Sequence, residues 1–531
     1  MGVGNYPDDA RKAALRERIR VRTMTRRSRR DQWAPRTSKI AKAAYEMLLP
    51  KDTVLRHQWL IAKQWVEESA DELAEVDFDF RKRDERIVAL RSAALSEIWA
   101  KDGYAGIVHL CSLGEAAGVV GRHLTNSVFD EEQLIDFVQV LLSDEVESSR
   151  RTMDSCLYGL LGRLELPKRE QLLSRTLSKL KDHARCAEKT LRLLLNAPFD
   201  GATWAFVDSL SETERRLYWT SVAPYWCSQT PDEVNRIVDE FLGVERPRVA
   251  FRAVEMELRK LESERLIRLL FEVATNQSEP EGYVRLAPHH ISKAFEVLTS
   301  RAGVSRDELA RLEFLYIGAL NHTRHGIRNL EQRLSESPEL FVQVLALAFH
   351  RKDDGEDPPE WRPSNQENAV ALSPAAYQLL TKAKRIPGTQ DDGAIDAAKL
   401  RNWLSRTRTL TIECAREAVG DSLIGQLLAK SPVGSDGVWP CEAVRDVLED
   451  LGTLDIARGM SVGVYNSRGA VWRGEGSDQE RELSVKYRGW SRSLANYHPW
   501  VSRMLDGIAD MYDRDAARED DETEIRKRLW H

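Results

Sequence analysis

Cysteine is scarce: six in 531 residues, at Cys111, Cys156, Cys186, Cys227, Cys414 and Cys441, all single and far apart. With no Cys-x-x-Cys pair, neither a thiolate zinc site nor a vicinal redox pair is expected. Such usage fits a reducing compartment, so the expected location is the cytoplasm. Long apolar runs are missing too. Leu340 to Phe349 is interrupted by Gln343 and falls short of the roughly 18 residues that a membrane span needs. The N-terminus carries charge where a signal peptide needs an apolar stretch, so no membrane partner is expected. There is no Gly-x-x-x-x-Gly-Lys-Ser/Thr loop, so the chain is not expected to supply its own nucleotide motor. His-Glu-x-x-His is absent as well, and no Gly-x-Ser-x-Gly elbow is expected to present a nucleophile. The close histidines, His289-His290 and His322 with His325, read as surface or capping residues, while Asp77 and Asp79 around Phe78 are paired carboxylates suited to a cation. The reading is therefore of a non-enzymatic chain with no cofactor and no catalytic or metal-binding residue assigned.

What is present is an ordinary core-forming composition, 42% hydrophobic with a formal charge of −6. Its distribution is uneven. Residues 11–30 carry ten Lys or Arg against one acid, Glu17, which leaves the remainder more acidic than the total. Arm and body are thus expected to meet different partners. Arg16, Arg18, Arg20, Arg22, Arg26, Arg27, Arg29 and Arg30 are the candidate nucleic-acid contacts, through phosphates and without sequence preference. The 14 tryptophans include Trp59, Trp65, Trp219, Trp226, Trp361, Trp472 and Trp490 beside charges. Core packing is the commoner use of such rings, with interface anchoring or base stacking as alternatives.

From residue 40 to 350, amphipathic helix patterns follow one another with short turns. Leu134, Ile135, Phe137, Val138, Leu141 and Leu142 share one helical face behind Asp130 and Glu131. Pro231 opens another helix through Val234, Ile237, Val238, Phe241 and Leu242, ended by Gly243. Helices this short must bury their stripes against sequential neighbours. Without a fixed-period consensus, this predicts an all-α irregular solenoid of helix hairpins; a compact multi-helix domain fits the same periodicity. The expected organisation is a basic arm (1–39), a helical solenoid (40–350), a Pro- and charge-rich linker (351–369), a helical segment (370–435) and a C-terminal domain (436–531). In that last domain Pro440 suits a first helical turn, and Val462, Val464, Val471 and Trp472 around Asn466-Ser-Arg-Gly469 predict a short β-hairpin or extended loop.

The C-terminal motifs are Gly463-x-Tyr465-Asn466-x-Arg468-Gly469, then Arg473-Gly474-x-Gly476-x-x-Gln479-Glu480-Arg481-x-Leu483, then Tyr487-Arg488 and Tyr512-x-x-x-Ala516-x-x-Glu519-Asp520. Together with Leu312-Glu313-x-x-Tyr316, Leu330-Glu331-x-x-Leu334 and Pro338-x-x-Phe341, they resemble the C-terminal helical-repeat region of large, mostly uncharacterised bacterial proteins. Larger members of that group carry N-terminal modules similar to signal-transduction ATPases or DNA-binding regulators. The resemblance therefore implies a bacterial antiphage or stress-sensing role, here either alone or as half of a split system whose ATPase or effector is a separate protein. Arg468, Arg473, Gln479, Glu480 and Arg481 form the candidate interaction cluster, with helix capping as the plainer reading. The expected function is a scaffold or sensor that binds another protein through a solenoid surface, and the alternative is a nucleic-acid-associated regulator using the arm.

Overall fold

The computed structural model describes residues 8–24, 34–61, 63, 66, 80–114, 117–125, 128–143, 150–181, 185–224, 230–276, 279, 286–321, 323–362, 366–468 and 477–529. Among them lie 26 α-helices and no strand beyond one isolated bridge, Thr389 to Ile395. The chain divides into two compact units, Met1–Val254 and Glu255–His531.

Unit 1 contains α1 (Asp9–Ile19), α2 (Ala34–Met47), α3 (Thr53–Ile61), α4 (Phe80–Ser112), α5 (Ala117–Leu124), α6 (Glu131–Leu141) and α7 (Arg150–Arg163). It continues with α8 (Leu166–Leu180), α9 (Cys186–Leu195), α10 (Gly201–Asp208), α11 (Glu212–Ser221), α12 (Pro231–Gly243) and α13 (Pro247–Val254). The starts follow side-chain chemistry. Asp130 with Gln133 opens α6, and Thr230 with Glu233 opens α12, each as a reciprocal capping box. The stripe expected on α6 is buried, with Ile135, Phe137 and Val138 fully covered. Consecutive and next-but-one helices pack on each other, as an array requires. The tightest crossing joins α5 to α7. A Cβ on Gly121 would lie 1.9 Å from the Cys156 carbonyl oxygen, and one on Gly159 would lie 2.0 Å from that of Gly118. Trp204 and Trp219 are core, packed with Phe199 and Phe241.

Unit 2 contains α14 (Ser263–Thr275), α15 (Pro288–Thr299), α16 (Arg306–Leu315), α17 (Ile317–Leu320), α18 (Arg328–Glu336), α19 (Pro338–Ala348) and α20 (Gln366–Lys382). After these come α21 (Ala397–Glu413), α22 (Glu417–Leu428), α23 (Glu442–Leu451), α24 (Leu454–Ser467), α25 (Asp478–Leu494) and α26 (Pro499–Leu529). Again one crossing is held by glycines. Added Cβ atoms on Gly425 of α22 and Gly459 of α24 would meet the carbonyl oxygens of Ile456 and Ser422 at 2.2 and 2.0 Å. The stretch read as a linker lies inside this unit. Its residues 351–358 are tied down by Arg416, which pairs with both Asp357 oxygens at 2.7 Å and donates to the Phe349 carbonyl.

The hairpin expectation is corrected. Val462 and Val464 belong to α24, because Ile456, Met460 and Val464 recur at four-residue spacing and Gly459 and Gly463 seat that helix on α22. That packing overrides the strand preference of alternating valines. Val471, Trp472, Gly469, Gly474 and Gly476 lie outside the described residues. Pro440 is not a first-turn residue; it precedes α23, joined to Trp439 by a cis peptide bond.

Candidate functional site

The helices of unit 2 bury one stripe each, and three of them carry more apolar surface than that stripe uses. On α14 the core residues are Leu266, Leu269, Leu270 and Val273, yet Phe271 is 50% exposed. On α16, Leu315 remains exposed beside buried Leu309 and Leu312. On α19, Leu340 and Leu347 are half-buried at the edge of Phe341 and Val344. These extra residues line one groove of about 1170 Å³, whose rim carries Glu264, Arg268, Asp307, Glu308, Arg311 and Arg333. Across that rim Arg333 pairs with Asp307 at 2.9 Å. An apolar floor under a rim of both signs is the arrangement that receives an amphipathic helix.

The wall behind the groove is held by acids that accept from backbone amides remote in sequence. α18 has no side-chain cap of its own. Glu313, fully buried on α16, supplies one: its carboxylate accepts from the Leu330 amide at 2.8 Å and from Asn329 Nδ2 at 2.7 Å. Its other neighbour is His325, with Nε2 2.7 Å from Oε1. Glu331 accepts from the Lys384 amide at 2.8 Å, and burial pushes its carboxyl above the usual range. Tyr316 donates to the Leu270 carbonyl at 2.6 Å, joining the segment after α16 to α14. The midchain residues Glu313, Tyr316 and Glu331 therefore tie the segments of this wall together.

The arginine arm is divided. Arg16 and Arg20 fold against unit 1: Arg16 stacks 3.7 Å above Tyr45 and donates to its carbonyl, whereas Arg20 lies 4.4 Å over Trp59 and holds Glu17 at 2.7 and 2.8 Å. Arg18 and Arg22 are exposed. Arg26, Arg27, Arg29 and Arg30 lie outside the described residues, as do Trp65, Trp226, His322, Asp77 and Asp79.

In the C-terminal cluster, Arg468 and Glu480 come together at 3.2 Å with Glu480 buried, and the Arg468 guanidinium stands 5.5 Å from the Tyr512 ring centre. Arg481 instead donates to Ser477 and pairs with Asp520, and Gln479 points outward as an exposed residue. Arg473 lies outside the described residues. The described part of the cluster thus ties the end of α24 to α25 and α26. Among the described residues no group of three or more His, Cys, Asp or Glu side chains is placed to hold a metal, and no helix is long and apolar enough to cross a membrane. His290 meets Glu255 at 2.6 Å.

Sequence reasoning missed the groove. The available signal was Ile267 and Phe271 on α14 and Phe314 and Leu315 on α16, apolar residues outside the main stripe. The amide contacts of Glu313 and Glu331 had no local signal, because acceptor and donor lie 17 and 53 residues apart. No family model, curated protein or solved structure matches this chain.

Proposed function

We propose that the chain is a non-enzymatic scaffold or sensor, an irregular helical array that binds a partner protein through the unit 2 groove. One observation carries the reading: apolar side chains from three array helices, α14, α16 and α19, line a single groove rimmed by both charge signs. The partner segment is an amphipathic helix, its apolar face on Phe271 and Leu315 and its flanks meeting Arg268, Arg311 and Glu308. In the split-system form of this reading, the partner is a separate ATPase or effector subunit of a bacterial stress or antiphage response.

The test is quantitative affinity capture from the native host, with nuclease present. It compares the parent chain with Phe271→Asp/Leu315→Asp and with Tyr497→Asp, a control at an 81% exposed residue of the same unit. The expected outcome is a partner lost from the groove variant and kept by the control. A partner retained by both, with unchanged melting of both variants, rejects the groove.

A further inference from the structure

The second cavity of note lies in unit 1. α1 continues into a π-helical turn, Arg20–Met24, and together they wall a cavity of about 930 Å³ opposite α3. That size falls within the range of small-ligand sites, roughly 300–1,000 Å³.

Among the described residues its lining is one-sided in charge. Arg16, Arg18, Arg20, Arg22, Arg56 and Lys63 face a single described acid, Glu17, and that acid is already taken by Arg20 in a two-bond pair. Arg56 meets Glu97 at 2.8 Å, which is outside the lining. Arg18, Arg22 and Lys63 are exposed toward solvent. Between these cations the wall is apolar, formed by Ala13, Ala14, Leu55 and Val66. Like charges gathered along a low-dielectric wall sustain a positive potential that a bound anion relieves. Guanidinium forks match phosphate oxygens in pairs, and the apolar wall beside them accepts a flat ring. Arg16 and Arg20, stacked on Tyr45 and Trp59, fix the wall.

We propose that the cavity between α1 and α3 binds a nucleoside phosphate, with the phosphates on Arg18 and Arg22 and the base against Ala13, Ala14 and Leu55. It shares no residue with the unit 2 groove. The ligand chemistry, phosphate joined to a base, has two sources: a free nucleotide or the end of a single-stranded nucleic acid.

The experiment uses the full chain and follows the fluorescence anisotropy of methylanthraniloyl-ATP and of a fluorescein-labelled oligothymidylate. The expected result is binding that weakens with salt. It should fall about tenfold or more in Arg18→Glu/Arg22→Glu. Ala14→Trp, which fills the base position and leaves every charge in place, should weaken it too. Arg458→Glu on α24 should leave it unchanged. Binding of methylanthraniloyl-ATP assigns the free nucleotide, and binding of the oligonucleotide alone assigns the strand end. Three results overturn the proposal: neither probe binds, both charge-reversed and parent chains bind equally, or tripolyphosphate or a Glu-rich peptide competes as well as ATP.

Discussion

The two units close remote helix ends with opposite chemistry. In unit 1 arginines reach carbonyl ends: Arg91 of α4 donates to the Leu60 carbonyl in the last turn of α3 and to that of Lys63 beyond it, and Arg246 donates to those of Trp219 and Val222 at the end of α11. In unit 2 glutamates receive amide ends. Glu313 takes the Leu330 amide of α18, and Glu449 of α23 takes the amides of Trp500 and Val501 in the first turn of α26. The division is not absolute, since Glu233 accepts from Gly201 in unit 1 and Arg416 donates to Phe349 in unit 2. Both solutions meet the same need. A short helix leaves several backbone groups unpaired at each end, and an array buries some of those ends against neighbours.

The sharpest break of this comparison leaves the caps intact and forces apart what the units share, a glycine-seated crossing. Gly121→Ala in unit 1 and Gly459→Ala in unit 2 each place a Cβ within 2.0 Å of a carbonyl oxygen of the facing helix. Each should cost about 3–4 kcal/mol in urea denaturation, well above an ordinary surface substitution. If hydrogen exchange resolves the units, each variant should loosen its own unit and spare the other.

Removing one cap from each side comes next. Arg91→Met leaves the Leu60 carbonyl without its donor, and Glu313→Ala leaves His325, Asn329 and the Leu330 amide without their acceptor. Both should lower stability by about 2–3 kcal/mol. Opening should appear in the amides of α3 for the first and of α18 for the second, and identical exchange patterns would remove the distinction.

Acid gives the smallest effect and a different pH window for each unit. His123, buried 3.5 Å from Arg91, is held down to about 4 by burial and then by Arg91, Arg122 and Arg163. It is neutral in the fold, while the unfolded chain takes up a proton below about pH 6.5. Stability should therefore fall from about pH 6.5 toward 4, by on the order of 2 kcal/mol, and His123→Gln should flatten that slope. In unit 2, Arg445 holds Asp436 down to about 2 through a two-bond pair at 2.7 and 2.8 Å. That contribution is complete above the ordinary aspartate value near 4 and is lost as pH falls toward 2. Asp436 is half exposed, so Asp436→Asn should cost only about 1 kcal/mol near neutral pH, with the gap in urea midpoints closing below about pH 3.

Helix stripes were legible because period and capping are local. The run from Leu134 to Leu142 behind Asp130, and the α12 stripe behind Pro231 apart from half-buried Leu242, are buried as their spacing implied. The all-α class followed from the same signal. The candidate site was legible only in pieces. Arg468 and Glu480 do meet, but as a brace between helices, and Arg16 and Arg20 form a cavity wall, which a string of positive charges does not announce.

What the sequence by itself determined is where most helices run, which face each one buries, and that charge is concentrated near the N-terminus. These depend on neighbours within one or two turns. The tertiary structure alone decided which helix ends are capped from a distance, and that leftover apolar faces on α14, α16 and α19 adjoin to make a groove. Those outcomes rest on contacts between residues tens of positions apart, where the free energy of burial depends on the partner surface and no periodicity within a segment can encode it.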